Sequence, residues 1–272
     1  METISILGCG WLGLPLAEYL KKCGYKVKGS TRTREELTVL ESKGIEPSLL
    51  VLDPNVHGEN LDNFFKSDVL IIDFPPERRD DIVTYHGLQV NSLIEEIKLS
   101  SIEKVVFVSS TSIYPDLNRE VSEEETKAPS KSSGKALLIV EELLNNCDEF
   151  KTTVLRFAGL IGYDRKPGRF LAGKRELANG EAPVNLIHRD DCISIIHKII
   201  ERDIWGDTFN ACADLHPKRK DYYINHANKL GLTPPTFIEP ENYSYKIVSS
   251  EKLKKRLDYK YKFPDPFEID DD

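Results

Sequence analysis

Directly after an apolar, β-prone run, Thr3–Leu7, the chain reads Gly8-Cys9-Gly10-Trp11-Leu12-Gly13 and continues as an amphipathic stretch. Each glycine has a physical use. The first permits a tight turn out of the strand, the second lets a pyrophosphate approach the backbone, and the third lets the next helix pack closely on the strand. The helix opening there offers amides and a partial positive charge to an anion. The spacing therefore predicts a dinucleotide-binding loop of Gly8, Gly10, Trp11, Leu12 and Gly13, with the Trp11 indole as packing and the amides beside it as the functional part. A lone G-x-G-x-x-G also fits a tight turn without a ligand, so the flanking pattern decides.

That pattern is an alternation of β-rich runs and amphipathic stretches through the first 160 residues. Strands are expected at Thr3–Leu7, Lys26–Gly29, Leu49–Leu52, Val69–Asp73, Val105–Ser109 and Thr153–Phe157, with helices at 12–20, 33–43, 60–66, 80–99 and 132–146. Strands separated by helices make βαβ units, so the fold class expected is α/β, a Rossmann-type doubly wound parallel sheet with a smaller C-terminal substrate lobe. After Gly162 the composition shifts: 164–180 is rich in Gly, Arg and Lys, a helical pattern resumes at 190–201, and a Pro-containing tail follows from about Asp214. The expected division is a dinucleotide-binding core over 1–162 and a lobe over 163–272 interleaved with the last sheet elements. No Gly/Ser linker separates them. The closing Asp270-Asp271-Asp272 reads as a frayed acidic end.

Composition removes several function classes. A formal net charge of −8 argues against a nucleic acid or an anionic membrane as partner. No apolar run reaches the roughly 18 residues a spanning helix needs, and Met1-Glu2-Thr3 carries no basic leader pattern. The five cysteines, at 9, 23, 147, 192 and 212, are odd in number and form no C-x-x-C, which suggests neither a disulfide framework nor a zinc site. A reducing cytoplasm is the expected setting and no metal is expected.

Cofactor choice turns on the residues about 20 beyond the glycines, where a carboxylate accepts from the ribose in NAD sites. Here the chain has Gly29-Ser30-Thr31-Arg32. Thr31 and Arg32, with Arg34 nearby, suit a 2′-phosphate, so NADP is favoured over NAD, although Arg32 also fits an ordinary turn. Asp53 closes the third strand and Phe74-Pro75 follow the fourth, at the strand ends where open α/β sheets bind ligands. Asp53 is a candidate acceptor for the adenine amino group, and Asp53-Pro54 is equally a common turn opener.

At the fifth strand the chain reads Val105-Val106-Phe107-Val108-Ser109-Ser110-Thr111-Ser112-Ile113-Tyr114. Together with the glycine loop, Leu155-Arg156-Phe157-Ala158-Gly159-Leu160-Ile161-Gly162 and Asn185-Leu186-Ile187-His188-Arg189-Asp190-Asp191, this resembles the extended short-chain dehydrogenase/reductase family, the epimerase/dehydratase-like branch. The resemblance implies a nicotinamide cofactor contacted in part by Ser109, and a Ser/Thr after the fifth strand, here Ser110. It also implies a Tyr and a Lys four apart on the next helix, the Tyr moving a proton and the Lys lowering its pKa. Aligned without gaps, those positions are Ser133 and Leu137. No register restores the pair: sliding by two brings in Lys135 but puts Lys131 at the Tyr position.

A serine hydroxyl is a far poorer proton donor than a phenol assisted by Lys, and such acid–base help is typically worth about 10²–10⁴-fold. Tyr114, Tyr163, Lys135 and His188 are substitutes by motif position, each also compatible with plain packing. Gly159 either leaves room for a substrate or forms a crossing turn, and Arg169 and Lys174, on a Gly-flanked cationic stretch, suit a phosphate or carboxylate or equally a solvated loop-to-helix junction. Asp190 or Asp191 is expected to cap the helix that starts there. Two leading functions follow, beside a third, a repurposed Rossmann fold that binds another nucleotide. One is an oxidoreductase or epimerase/dehydratase-type enzyme acting on a small sugar-like or anionic substrate with a non-standard proton donor. The other is a non-catalytic dinucleotide-binding sensor. The resemblance also implies a homodimer through the helices at 80–99 and 132–146.

Overall fold

The computed structural model describes residues 2–238 and 243–269, so the reading of Asp270-Asp271-Asp272 lies outside the described residues. The chain divides into two compact units: Met1–Ile113 with Pro129–Arg156 and Ile195–Thr208, and Tyr114–Ala128 with Phe157–Ser194 and Phe209–Asp272.

In chain order the elements are β1 Thr3–Leu7, α1 Gly13–Lys22, β2 Lys26–Thr31, α2 Arg34–Ser42, β3 Glu46–Asp53, β4 Asn55–Glu59, α3 Leu61–Phe65, β5 Val69–Ile72, α4 Ile82–Lys98 and β6 Lys104–Ser110. They continue with β7 Arg119–Val121, α5 Ser132–Asn145, β8 Lys151–Phe157, β9 Gly159–Ile161, α6 Pro167–Leu171, β10 Leu186–His188, α7 Arg189–Glu201, β11 Thr208–Ala211, α8 Arg219–Lys229, β12 Lys246–Val248 and α9 Glu251–Leu257. The large sheet has the order β11-β8-β6-β5-β1-β2-β3-β4. Parallel pairing runs from β6 through β5, β1 and β2 to β3. Its central strands are apolar on both faces; Val69, Leu70, Ile71 and Ile72 of β5 are fully buried, as expected of strands covered by helices on either side.

The sheet departs from the purely parallel expectation at one edge, where β4 pairs antiparallel with β3 from Leu49↔Glu59 to Asp53↔Asn55. Pro54 occupies the turn, and four of the five β4 residues are exposed. A polar edge strand of this kind carries no apolar alternation to announce it.

At the mouth of β1, Gly8 has φ +100° and a Cβ there would lie 2.2 Å from the Asp73 carbonyl oxygen. A Cβ on Gly13 would lie 2.1 Å from the Gly8 carbonyl oxygen. These two glycines let the loop fold tightly between the carboxyl ends of β1 and β5, where the sheet order reverses and open α/β folds take ligands.

In the second unit β9 pairs in parallel with β10, and β12 with β7. Helix α6 packs on α8, and Gly168 lets the backbones meet, since a Cβ there would sit 2.3 Å from the His226 carbonyl oxygen. For Asp191 the expected capping of α7 is corrected. The fully buried Asp191 carboxylate accepts from Tyr259 Oη at 2.7 Å, the Lys262 amide at 2.8 Å and the Phe263 amide at 3.1 Å. The Asp190 amide donates to His188 Nδ1 at 3.2 Å. A buried carboxylate requires donors, and the 259–263 segment supplies them, so Asp191 fastens that segment instead of the helix end.

Candidate functional site

A cleft of about 450 Å³ opens at the carboxyl ends of β1, β2, β3 and β5. Gly8, Cys9 and Gly10 form one wall; Ser30, Thr31 and Arg32 follow from β2, Glu36 from α2, Leu50 and Leu52 from β3, the segment 73–78 from beyond β5, and Gln89 from α4. The loop is latched to β2: the Cys9 amide donates to the Ser30 carbonyl at 2.9 Å and the Gly8 amide to Ser30 Oγ at 3.2 Å. Gly10 differs from its neighbours, because a Cβ built on it meets nothing within 4 Å. Its Cα hydrogen points into open space. The first turn of α1 carries no side-chain cap. Burial, reinforced by Asp73, pushes the Cys9 thiol up to about 12, so it offers no thiolate nucleophile.

Of the residues expected to hold a dinucleotide, Gly8, Gly10, Thr31, Arg32, Phe74 and Pro75 line this cleft, whereas Trp11, Leu12, Gly13, Asp53 and Ser109 do not. Trp11 is half-buried and Leu12 buried. The Asp53 carboxylate accepts from Tyr85 Oη at 2.7 Å, and the Arg79 guanidinium stacks 3.4 Å from the Tyr85 ring centroid while bonding Asp81 at 2.5 Å. The Ser109 hydroxyl donates to Glu141 at 2.5 Å in the core. There Glu141 also receives Arg156 Nη2 at 2.6 Å, both side chains being nearly inaccessible.

The cleft also holds groups that the sequence pattern did not single out. Thr31 donates its hydroxyl to the Glu36 carboxylate, Arg32 reaches Glu77 at 3.5 Å, and Arg34 is engaged by Glu59 outside the cleft. Gln89 donates to the Leu52 carbonyl at 2.8 Å and meets Nδ1 of the buried His86 at 3.1 Å, which fixes its side chain at the cleft. Burial pulls the His86 pKa down and keeps the ring neutral.

β6 ends at Ser110, half-buried, whose Oγ accepts from the Ser112 amide at 3.1 Å. Helix α5 presses on this turn: a Cβ on Gly134 would lie 2.5 Å from the Ser112 carbonyl oxygen. On the same helix Ser133 and Lys135 are exposed, and Leu137 is buried with 4% exposure.

In the second unit Tyr114 is buried and donates to Asn210 Oδ1 at 2.8 Å. Gly159 is exposed, and its amide donates to the Asn185 carbonyl at 3.0 Å. Arg169 and Lys174 are both exposed. Tyr163, at φ 57°, bonds Asp190 at 2.9 Å with the Arg189 guanidinium 3.8 Å from its ring centroid. His188 lies buried against Phe263 at a centroid distance of 3.9 Å, and burial lowers its pKa. Among the described residues no helix is long and apolar enough to cross a membrane.

The model of the NAD dependent epimerase/dehydratase family matches residues 4–212. Protein YeeZ of Escherichia coli strain K12 is 34% identical over 269 residues, covering 98% of each chain. Among solved structures, UDP-N-acetylglucosamine 4-epimerase from Bacillus cereus matches with a TM-score of 0.78 at 18% identity, covering 98% of this chain and 97% of that one. MoeE5 in complex with UDP-glucose and NAD matches with a TM-score of 0.74 at 16% identity, covering 96% and 93%. A functionally unknown conserved protein from Silicibacter pomeroyi matches with a TM-score of 0.76 at 22% identity, covering 98% and 96%.

Proposed function

This chain belongs to the NAD dependent epimerase/dehydratase family, and we propose that its glycine-loop cleft binds a nicotinamide dinucleotide in the service of oxidoreductase or epimerase/dehydratase-type chemistry on a small sugar-like or anionic substrate. The observation that carries the reading is Gly10, which lines the cleft and on which an added Cβ would meet nothing within 4 Å. Gly8 and Gly10 would cradle the pyrophosphate, while Leu50 and Leu52 offer apolar flanks to the adenine beside Gln89. When bound, the dinucleotide supplies a hydride acceptor or donor.

Ser110 is proposed to orient a substrate oxygen, since accepting from the Ser112 amide leaves its O–H able to donate. In the second unit Arg169 and Lys174 are proposed as contacts for substrate charge, with Gly159 and Tyr114 as further substrate residues. Tyr114 serves as a wall, its hydroxyl being committed to Asn210. Arg32 and Arg78 support the NADP form of the cofactor, and Glu36 supports NAD. A homodimer is supported by the exposed Leu88 and Leu99, and a cytoplasmic setting by five free thiols.

A second reading, a dinucleotide sensor that retains its hydride, is favoured by the burial of Leu137, which leaves no ammonium at that position of α5. Titration of the purified chain with NADH and NADPH by fluorescence tests the shared claim. Loss of the reduced-nicotinamide absorbance with sugar nucleotides, aldehydes or ketones supports the enzyme. Tight binding without turnover supports the sensor, and no binding of either dinucleotide refutes both.

A further inference from the structure

We propose that α9 and the segment after it, up to Lys262, form a docking surface for an acidic protein segment. Residues 251–262 read Glu-Lys-Leu-Lys-Lys-Arg-Leu-Asp-Tyr-Lys-Tyr-Lys. They hold six cations and two carboxylates, a formal +4, so the −8 of the whole chain leaves −12 on the other 260 residues.

Folding sorts this stretch by face. Leu253, Leu257, Tyr259 and Tyr261 are buried, while Lys252, Lys255, Arg256, Lys260 and Lys262 are exposed. The sixth cation, Lys254, is engaged by Asp214 at 2.7 Å and by Glu251 at 2.6 Å. Like charges one turn apart weaken a helix, so Lys252 and Arg256 stand on α9 against its local stability. The backbone that carries the cations is fixed. Asp258, in the left-handed conformation at φ 44°, ends α9, and the buried Asp191 carboxylate holds Tyr259 Oη and the Lys262 and Phe263 amides. Tyr261 Oη accepts from the Cys212 amide at 3.1 Å. Lys260 and Lys262 therefore extend from a segment tied at both neighbouring tyrosines, and the charge is presented on a preorganised surface.

Size, residue type and burial select the partner. The seven residues of α9 span about 10 Å, close to the Debye length of about 8 Å at physiological ionic strength. A nucleic-acid duplex or an anionic bilayer reaches well beyond such a patch and meets the negative charge of the remainder. With its apolar side chains buried, the face has nothing to anchor in a bilayer. Five of the six cations are Lys, a compact hydrated charge without the planar fork that grips phosphate. A short run of Glu and Asp matches the patch in extent and in sign, with contacts that steer association and fade with salt.

The test mixes the full chain with a fluorescein-labelled oligoglutamate peptide, a short DNA duplex, or phosphatidylcholine vesicles containing phosphatidylserine. At low salt the wild type is expected to bind the peptide, and the double reversal Lys255→Glu with Lys260→Glu to weaken that binding at least about tenfold. Reversal of two exposed lysines elsewhere, Lys22→Glu with Lys66→Glu, changes the net charge equally and is expected to weaken it no more than about twofold. Carbodiimide coupling of the bound peptide to the wild type, read by mass spectrometry, is expected to place cross-links on the lysines of 252–262 ahead of the other exposed lysines; this map does not depend on the stability of any variant. Absence of peptide binding, equal weakening by the control reversal, cross-links spread over the surface, or tighter binding of the duplex or the vesicles than of the peptide each overturns the proposal.

Discussion

Replacing each glycine of the loop with alanine separates its structural use from its ligand-binding use. At Gly10 an added Cβ touches no protein atom within 4 Å, and the residue has no positive φ. Gly10→Ala is therefore expected to leave stability unchanged or to raise it by about 0.4–1 kcal/mol through loss of unfolded-chain entropy. In the proposed dinucleotide reading of the cleft, the same methyl would stand where a pyrophosphate approaches the amides. Losing one or two hydrogen bonds to a charged phosphate, each worth about 1.5–3 kcal/mol, weakens dinucleotide binding by roughly 10- to 10⁴-fold. At Gly8 a Cβ meets the Asp73 carbonyl oxygen at 2.2 Å with φ +100°, and at Gly13 it meets the Gly8 carbonyl oxygen at 2.1 Å. These backbone atoms belong to packed elements, so Gly8→Ala and Gly13→Ala are each expected to cost about 2 kcal/mol or more. Urea denaturation of the three variants, paired with NADH titration, reads both effects. Native-like NADH affinity in Gly10→Ala would refute the assignment of the open space to a ligand, and an unfolded Gly10→Ala would refute the geometry itself.

Other expectations are independent of the loop. Glu141→Ala removes the carboxylate that pairs with the buried Arg156 and accepts from Ser109; a loss of about 3–5 kcal/mol is expected, and a variant within about 1 kcal/mol of wild type in urea would contradict the burial of the pair. Burial lowers the pKa of His86, His188 and His216 below the ordinary 6.5. The unfolded chain then binds more protons as pH falls, so their stabilising contribution is complete above about 6.5 and is lost as pH drops through the lower folded values. Urea midpoints in wild type and in a His216→Gln chain should differ in acid sensitivity between about pH 7 and pH 5, and identical slopes would argue against a neutral buried ring. Cys23 is exposed, whereas Cys9 and Cys212 sit near 12 through burial; brief alkylation followed by mass spectrometry should modify Cys23 first, and early modification of Cys212 would count against its packing.

The parts of the fold legible in the sequence are those whose residue types admit one physical use. Val69-Leu70-Ile71-Ile72 can only be a strand covered on both faces, and it is fully buried. Gly8 and Gly13 need a missing Cβ, and the structure has backbone oxygens where a Cβ would stand. β4 escaped because Asn-Val-His-Gly-Glu has a single apolar residue, and β7, β9, β10 and β12 are three residues long, too short for a period to develop. The cleft residues that escaped share another cause. Asp53 closes β3 as expected, yet its partner is Tyr85, 32 residues away on α4. Glu36 lies one helical turn past the place where a carboxylate is looked for, and only the approach of α2 to Thr31 brings it to the cleft. Such pairings are made by tertiary packing and leave no local spacing to read.

The same packing bears on proton transfer. A phenol assisted by an ammonium needs both groups on one face of α5, and Gly134 brings that helix so close to the Ser112 carbonyl that its register against β6 has little freedom. In that register Leu137 is buried while Ser133 and Lys135 are exposed. A half-turn rotation that turned Lys135 inward would swing Leu137 and Val140 out of the core, with the loss of about 1.5–3 kcal/mol for each exposed side chain. It would also carry Glu141 away from Arg156. The helix therefore cannot recruit Lys135 by adjustment, and Leu137→Lys would place an ammonium among apolar neighbours. The combination of Ser133→Tyr with Leu137→Lys is accordingly expected to lose stability without gaining turnover; a folded double variant that oxidises NADH with a substrate the wild type ignores would show that α5 has the freedom denied to it here.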